Sequence, residues 1–309
     1  MRPLPSRYLV ILILLTPASA SAIAPIPITA RGLEVDLAIF SLFLTPEEEI
    51  TIAVNTEQSM RVEAPGMSIQ QVRQQTGQLL QVRAPAAPGI YPMHLSSESG
   101  AAASQINIIV LTPFANLRDG MLNGYRVGEY PQPRQGKATY YAQPTGFIEV
   151  TEANMATQLT PHFTLAQFLC KQEAGFPKYL VLRENLLVLL EDVLQHVNSQ
   201  GFSVATFGFI SGYRTPWYNR KIGNVTYSRH IYGDAADIYI DQDLNGRMDD
   251  LNLDGAYDGK DMELFFALVE QLRDNSPGSV LPSGIGRYKP NRRHGGFIHV
   301  DTRGYPARW

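Results

Sequence analysis

The sequence predicts an α+β protein in which an amino-terminal all-β sandwich of immunoglobulin-like type precedes a domain of mixed helices and strands. Up to about residue 112, short β-prone runs such as ITIAV, LLQVR and INIIVL recur between turn residues. After residue 160, a run of leucines and valines at helical spacing is followed by short apolar runs. With 309 residues, of which 44% are hydrophobic and 18% charged, the chain is long enough for two folded units and too apolar for wholesale disorder.

The first 22 residues have the layout of a secretory signal peptide. Arg2 and Arg7 precede the apolar run YLVILILL, and the small-residue stretch ASASA follows it. This run is about half the roughly 20 residues that a spanning helix needs, and no later segment approaches that length, so we expect no integral membrane segment in the mature chain. The expected location is the periplasm or the cell envelope; the alternative is a retained amino-terminal anchor.

Charge and cysteine content narrow the class of partner. The chain has 29 acidic and 26 basic residues, and Arg2 and Arg7 would leave with the signal peptide, so nothing favours nucleic acid as a partner. Cys170 is the single cysteine, which excludes an intrachain disulfide. Because Cys170 lies in TLAQFLCKQ, where apolar residues mark one face of a predicted short helix, we interpret it as core filler and not as a nucleophile.

Three parts follow the signal peptide. Residues 23–112 are the predicted β-sandwich. Residues 113–160 are rich in proline, glycine and tyrosine without sustained periodicity, which favours an ordered connector. Residues 161–309 are the second domain, and Thr164 followed by Gln167 has the spacing of a capping box at its first helix.

Within the second domain, periodicity predicts two longer helices and three strands. The main helix is LRENLLVLLEDVLQHVNSQG, with Gly201 as its carboxy-terminal stop. Another helix is MELFFALVEQLRDN, and the strands are SVATFGFISGY, ADIYI and GGFIHVD.

Three side chains of this domain have the residue types of a catalytic metal site. His230 and Asp237 have six residues between them, the first on a turn and the second entering a strand, so one loop can direct both toward one cation. His299 lies in the strand FIHVD, where alternation places it on the same face as Asp301. Two imidazoles and a carboxylate leave a fourth tetrahedral position for water, as in catalytic zinc sites. A lone pair of His and Asp is weak evidence, so the surrounding motifs decide the interpretation.

Five motifs surround these side chains: FTLAQFLCK at the domain's start, SGYRTPWYN at 211–219, SRHIYGDAADI at 228–238, GIGRY at 284–288 and HGGFIHVDTRG at 294–304. Together they resemble the zinc D-Ala-D-Ala carboxypeptidases, also called the M15 peptidases. The resemblance covers roughly residues 160–309. It implies an M15-like zinc peptidase domain, with a small antiparallel sheet and helices, that hydrolyses peptidoglycan peptides as a carboxypeptidase or endopeptidase.

The same resemblance implies roles for single residues. It implies zinc ligands at His230, Asp237 and His299, a catalytic and substrate-binding arginine at Arg214, and peptide-contacting residues at Ser228 and Tyr213. A guanidinium presents a fixed fork of donors, which suits a terminal carboxylate or a developing oxyanion. The other interpretation of Arg214 is a structural salt bridge that fastens the loop before the next helix.

The general base is the point at which the sequence departs from the family pattern. Many members carry a carboxylate three residues before the last histidine, where this chain has Gly296. His294 is the predicted substitute, since the resemblance extends to carboxypeptidases with a histidine at that spacing and its ordinary pKa suits proton transfer. His294 as an exposed loop residue is the alternative. Asp301 is a second candidate base, although orientation of a metal ligand fits it better.

A second metal site is suggested by the acidic segment DQDLNGRMDDLNLDGAYDGKD at residues 241–261. Oxygen-bearing side chains alternate there and glycine stands at the sixth position, as in calcium loops. The candidate calcium ligands are Asp241, Asp243, Asn245 and Asp249 in one loop, and Asp250, Asn252, Asp254, Asp258 and Asp261 in the next. Neither loop ends in the glutamate of an EF-hand, and acidic turns are also common on solvated surfaces.

Two other functions compete with hydrolysis. The first is a catalytically weak or inactive cell-wall-binding protein that keeps the zinc scaffold, which Gly296 favours. The second is signalling or assembly, because the scaffold also resembles the amino-terminal domain of hedgehog proteins; the bacterial-style signal peptide disfavours it.

Overall fold

The computed structural model describes residues 23–309 except 57, 75–76, 134–137, 276–282 and 293. The predicted signal peptide, residues 1–22, lies outside the described residues. Within the described part of the chain, no helix is both long and apolar enough to cross a membrane.

Residues 28–110 form two β-sheets. The strands are β1 (Ile28–Ala30), β2 (Leu33–Val35), β3 (Ile39–Leu44), β4 (Glu49–Val54), β5 (Met60–Glu63), β6 (Ser68–Arg73), β7 (Gln78–Arg83), β8 (Gly89–Ser97) and β9 (Ala103–Val110). One sheet has the order β2-β1-β4-β7-β6 and the other the order β3-β9-β8-β5. Pairing is antiparallel in both, except that β3 and β9 are parallel.

Alternation along the strands decides which side chains enter the core. In β4 the side chains of Ile50, Ile52 and Val54 are buried, whereas Glu49 and Thr51 are exposed. Successive strand residues point to opposite faces, so this pattern covers one face of the sheet with protein and leaves the other in water. Buried side chains of both sheets belong to one hydrophobic cluster. The all-β prediction for this part agrees with the structure, and its immunoglobulin-like character stays a prediction.

The predicted connector, residues 113–160, contains short strands that tie it to the second domain. These are β10 (Thr112–Pro113), which begins just before it, β11 (Met121–Leu122), β12 (Tyr125–Arg126) and β13 (Gly146–Val150). β13 pairs on one side with β10 and on the other with β14 (Lys178–Leu180), which lies beyond residue 160. The last strand of the connector is therefore shared with the domain that follows.

The second domain mixes helices and strands as the sequence predicts. Its further elements are α1 (Glu184–Ser199), β15 (Gly208–Ser211), α2 (Pro216–Lys221), β16 (Ala235–Tyr239), α3 (Gly259–Asn275), β17 (Gly284–Tyr288), β18 (Phe297–Asp301) and β19 (Ala307–Arg308). The five strands from β15 onward form one sheet with the order β15-β16-β18-β17-β19. All its pairs are antiparallel except β17 with β19.

Helix boundaries follow local capping chemistry. Gly201 has φ +98° immediately after α1, so it provides the left-handed conformation that ends a helix. The predicted capping box forms, because the Thr164 N–H donates to Gln167 Oε1 at 2.7 Å. The helix it opens is a single 3-10 turn, Leu165–Phe168. Cys170 therefore lies beyond this helix and not within it, but it is buried, as expected for core filler.

The amino-terminal sheets are joined to the second domain by polar contacts at the start of α1. Glu184 Oε1 accepts from the backbone N–H of Phe43 at 3.1 Å and from Arg31 Nη1 at 3.0 Å. Nearby, Ser41 Oγ donates to the carbonyl of Leu159 at 2.9 Å in a buried position. Of these three bonds, the one from Ser41 is fully shielded from water, so breaking it would leave buried polar groups unpaired.

Candidate metal centre

The five-stranded sheet brings Asp237 and His299 together. β16 and β18 pair antiparallel with Asp237 directly opposite His299, so both side chains lie on one face. Asp237 Oδ1 and His299 Nδ1 are 2.8 Å apart, and both residues are buried.

His230 reaches the same point from the segment before β16. It lies in a 3-10 helix, Arg229–Tyr232, that ends at Gly233 with φ +72°. A side chain at Gly233 would also collide with the backbone of Val181, so the turn that separates His230 from β16 requires glycine. The Nδ1–H of His230 donates to the Gly212 carbonyl at 2.6 Å, which directs Nε2 toward the other two residues.

Three potential ligand atoms consequently form one small triangle. His230 Nε2 lies 3.2 Å from Asp237 Oδ1 and 3.2 Å from His299 Nδ1. A tetrahedral zinc ion with bonds of roughly 2.0–2.1 Å separates its ligands by about 3.3 Å. The observed edges are close to one face of such a tetrahedron, so these three side chains fit a metal ion of that size.

Charge at the triangle is balanced between the carboxylate and the imidazoles. Burial lowers the pKa of His230, with Asp237 opposing it. Burial also opposes charge on His299, but hydrogen bonds from Asp237 and Asp301 outweigh it and raise the pKa of His299 to about 8. Burial likewise disfavours charge on Asp237, yet the two histidines hold its pKa well below the ordinary value. A proton on His299 Nδ1 and a metal ion would thus compete for that nitrogen, because a histidine must be deprotonated at the atom that binds a metal.

Asp301 orients His299 from the other side of the ring. Its Oδ2 accepts from His299 Nε2 at 3.0 Å, and Arg303 donates to both carboxylate oxygens. Asp301 is fully buried. Gly284, opposite it on the neighbouring strand, leaves space for the carboxylate, because a Cβ there would collide with it. This carboxylate–histidine arrangement fixes the tautomer that leaves Nδ1 available as a ligand.

Arg214 lies against the outer oxygen of Asp237. Its Nη2 donates to Asp237 Oδ2 at 2.5 Å, and its Nε donates to Ser211 Oγ at 2.8 Å. Within the described part of the chain, Nη1 has no hydrogen-bond partner. Arg214 therefore makes a buried salt bridge with Asp237, and its role toward a substrate stays a prediction.

The comparisons with known proteins identify the domain that carries this site. Residues 161–251 match the family model described as Peptidase M15. The chain contains a Peptidase M15 domain. The predicted resemblance is thereby confirmed, and a peptidase is the class of protein that it indicates. The match includes His230 and Asp237 but ends before His299. In the structure, the pairing of β16 with β18 places His299 beside Asp237. No curated protein matches the chain.

Two residues predicted to contact substrate occupy different positions in the M15 domain. Tyr213 is 1% exposed, and its hydroxyl is 3.0 Å from that of Tyr130 in the connector. It therefore packs the connector against the domain, and its predicted substrate contact stays a prediction. Ser228 is buried at the amino-terminal cap of the 3-10 helix that carries His230, close to the metal ligand in sequence, and its predicted peptide contact stays a prediction.

His294 lies outside the triangle, in the loop before β18. Its Nδ1 is 2.7 Å from the Gly295 carbonyl, and its Nε2 is 2.7 Å from Asn291 Nδ2. A carbonyl only accepts, so Nδ1 carries the proton and the Nε2 lone pair accepts from Asn291. The lone pair that a general base needs is thus engaged by a neighbour, and among the described residues no hydrogen bond joins His294 to the three candidate ligands.

Gly296 has a packing reason. A Cβ at this position would lie 2.8 Å from Met248 Cε and 3.1 Å from Met262 Cβ. Position 296 is directed at these two methionines, the second of which is fully buried on α3. A larger residue here would require the flexible end of Met248 to move, so glycine fits the present packing of these two methionines.

Sequence reasoning missed Trp309. Its ring centroid lies 5.1 Å from that of His299, and its Nε1–H donates to the Tyr288 hydroxyl at 2.8 Å. A Cβ on Gly286 would lie 2.5 Å from the indole. The alternating glycines of GIGRY could have indicated it. Glycines at positions 284 and 286 leave one face of β17 without side chains, and Asp301 and this ring fill that space.

The acidic segment after β16 forms two loops of repeated geometry. Asp241 accepts from the backbone of Asn245 and Gly246, each at 2.9 Å, and Asp250 accepts in the same way from Asp254 at 3.2 Å and Gly255 at 2.7 Å. Carboxylates of Asp241, Asp243 and Asp249 lie within 4.8 Å of one another. Three predicted calcium ligands remain. Asn252 donates to Asp254, and Asp258 accepts from the backbone of Lys260. Asp261 is fully buried and accepts from the backbone of Leu251. Calcium binding by these loops stays a prediction.

Proposed function

We propose that this chain hydrolyses peptide bonds in peptidoglycan stem peptides, as a D-Ala-D-Ala carboxypeptidase or an endopeptidase, with a zinc ion held by His230, Asp237 and His299. The observation that supports this most is the triangle of ligand atoms, 2.8–3.2 Å on each edge, in a Peptidase M15 domain. The substrate class rests on the sequence resemblance. Export to the periplasm or cell envelope rests on the signal-peptide pattern of residues 1–22.

The protein's own groups would position the metal and the substrate. Zinc would act there as a Lewis acid and would lower the pKa of water to near neutrality. His230 and His299 would each present one nitrogen, because Gly212 and Asp301 hold the opposite nitrogen of each ring. Asp237 would use Oδ1, since Arg214 engages Oδ2.

Arg214 would bind the substrate oxygen that gains negative charge. Two of its nitrogens are held by Ser211 and Asp237, so the guanidinium is fixed before substrate arrives. The third nitrogen, Nη1, is then a preorganised donor beside the ligand set. Donors that do not have to reorganise stabilise developing charge more than mobile ones do.

We propose His294 as the general base, with its ring rotated away from Asn291 so that the Nε2 lone pair becomes available. Removing a general base typically lowers the rate by 10²–10⁴-fold. A His294→Ala variant is therefore expected to lose about that much kcat while keeping its zinc, and added imidazole is expected to restore part of it. Steady-state kinetics and metal analysis on the same preparation measure both quantities.

An Asn291→Ala variant is the control for His294, because it removes the amide that donates to the ring Nε2 without removing the proposed base. It is expected to keep most of the activity. If His294→Ala retains activity within a few-fold of the unchanged protein, His294 is only a loop residue and another group takes the proton.

The alternative function is a cell-wall-binding protein that has lost hydrolysis. Gly296 favours it, because glycine stands where the family pattern has a carboxylate and carries no group that could take a proton. In this alternative the zinc site would stabilise a recognition domain.

Hydrolysis of defined muropeptides separates the two functions. Zinc-loaded full-length protein is incubated with uncross-linked pentapeptide muropeptides and with cross-linked dimers, and products are identified by mass spectrometry. Release of D-alanine indicates a carboxypeptidase, and conversion of dimers to monomers indicates an endopeptidase. Binding to purified cell wall without any product at any pH would instead support the wall-binding protein.

A further inference from the structure

We propose that Trp309 forms a substrate subsite beside the metal centre, where its indole takes the small apolar side chain of the residue at the scissile bond. The inference rests on the proposed peptidase function and assigns it a specificity-determining residue that none of the sequence motifs contains.

The first step is that Trp309 neighbours the ligand set directly. Its ring lies 5.1 Å from the ring of His299 at an interplanar angle of 48°. His299 directs Nδ1 toward Asp237 and His230. The indole is therefore the aromatic surface next to the ligand set on the His299 side. A peptide whose carbonyl is held at the ligand set would have this ring as a neighbour.

The second step is that the ring is fixed. Its Nε1–H donates to the Tyr288 hydroxyl at 2.8 Å, and the Arg303 guanidinium lies 4.9 Å from the ring centroid. The backbone of Trp309 continues the pairing of β19 with β17, since Arg287 N–H donates to its carbonyl at 3.0 Å. Gly286 leaves the space that the indole occupies. A ring held on several sides loses little entropy when it binds a ligand.

The third step is that the ring is nevertheless available. Trp309 is 43% exposed, whereas His299 beside it is 5% exposed. Large aromatic side chains are usually covered in folded proteins. An immobilised indole that is exposed next to a candidate catalytic centre is therefore suited to bind part of a ligand.

The fourth step concerns the chemistry of that occupant. The guanidinium that lies over the ring, Arg303, is paired with Asp301, to which it donates from Nε and Nη2. Trp309 thus presents an apolar ring whose described cationic neighbour is already paired. It fits an alanine methyl better than an acidic or basic side chain.

Kinetics of Trp309→Ala and Trp309→Phe test the subsite. The substrate is the muropeptide that the unchanged enzyme cleaves, together with a counterpart that has glycine in place of the alanine at that bond. For the alanine peptide, Trp309→Ala is expected to raise KM about tenfold, equivalent to about 1.4 kcal/mol, with a smaller change in kcat. Trp309→Phe is expected to fall between the two. With the glycine peptide, the penalty should shrink to a few-fold.

Trp217→Phe is the matched control, because Trp217 and Trp309 are the two tryptophans of the chain. It is expected to leave KM unchanged. Zinc content and melting temperature are measured for every variant. An equal loss on the alanine and glycine peptides, or unchanged KM in Trp309→Ala, would overturn the subsite. If the unchanged enzyme cleaves no muropeptide, the proposed function fails and the subsite falls with it.

Fluorescence gives a second measurement, which reports binding directly and does not depend on turnover. In the Trp217→Phe protein, Trp309 is the single tryptophan, so its emission reports on the subsite alone. Titration of the zinc-loaded protein with the purified acyl-side product is expected to shift that emission saturably. The Trp309→Phe protein, which retains Trp217, should show no shift. Emission from Trp309 that does not respond at saturating product contradicts the proposal while leaving hydrolysis itself untouched.

Discussion

Replacing His230 with glutamine is expected to abolish both zinc binding and hydrolysis. The His230 Nε2 atom provides two of the three edges of the ligand triangle, so its loss leaves an incomplete face that a tetrahedral ion cannot use. Residues that only orient a ligand typically cost 10–100-fold in metal affinity, and removal of a ligand should exceed that range. Metal analysis after dialysis and muropeptide kinetics measure the two losses.

Thermal unfolding separates loss of metal from loss of fold. A ligand at 100 times its Kd stabilises a protein by about 2.7 kcal/mol, which corresponds to roughly 5–10 °C in a domain of this size. Zinc should therefore raise the melting temperature of the unchanged protein and not that of His230→Gln. His162→Gln is the matched control, since His162 bonds Glu191 elsewhere in the domain. An equal zinc-induced rise in His230→Gln would refute the proposed ligand set.

The main helices and strands of the second domain could be predicted because their side-chain periodicity is strong. The α1 sequence repeats apolar residues at helical spacing, and its stop at Gly201 needs only the chemistry of a left-handed cap. Bounds were less predictable: the run SVATFGFISGY is a strand only over Gly208–Ser211. Pairing with β16 decides where that strand begins, and a single sequence contains no direct record of its partners.

The candidate ligands were predictable from motifs, whereas the contacts around them depend on tertiary packing. His299 becomes a neighbour of Asp237 through the register of β16 with β18, although the two are distant in sequence. Trp309 escaped prediction because its position depends on the parallel pairing of β19 with β17. Tyr213 was assigned to the substrate because it stands beside Arg214, and the motif did not indicate its buried hydroxyl contact with Tyr130 of the connector.

Arg214→Lys is expected to lower kcat by about 10²–10³-fold while the protein keeps its zinc. Removal of one preorganised donor at a developing oxyanion has a cost of this size. Lysine preserves the positive charge beside Asp237 Oδ2, so the buried carboxylate keeps a partner and the ligand stays in place. A single ammonium lacks the planar fork that reaches Ser211, Asp237 and a third group together.

The matched control is Arg220→Lys on α2, where an exposed guanidinium donates to the carbonyl of Glu129. It is expected to leave kcat and zinc content unchanged. If Arg214→Lys keeps full activity, Arg214 serves only as the salt bridge that fastens Asp237. If it loses zinc and activity in equal proportion, its role is to hold the ligand. Loss of kcat at constant zinc content is the result that assigns Arg214 to the substrate, because the ligand Asp237 then still holds the metal and the lost donors of the guanidinium fork account for the lower rate.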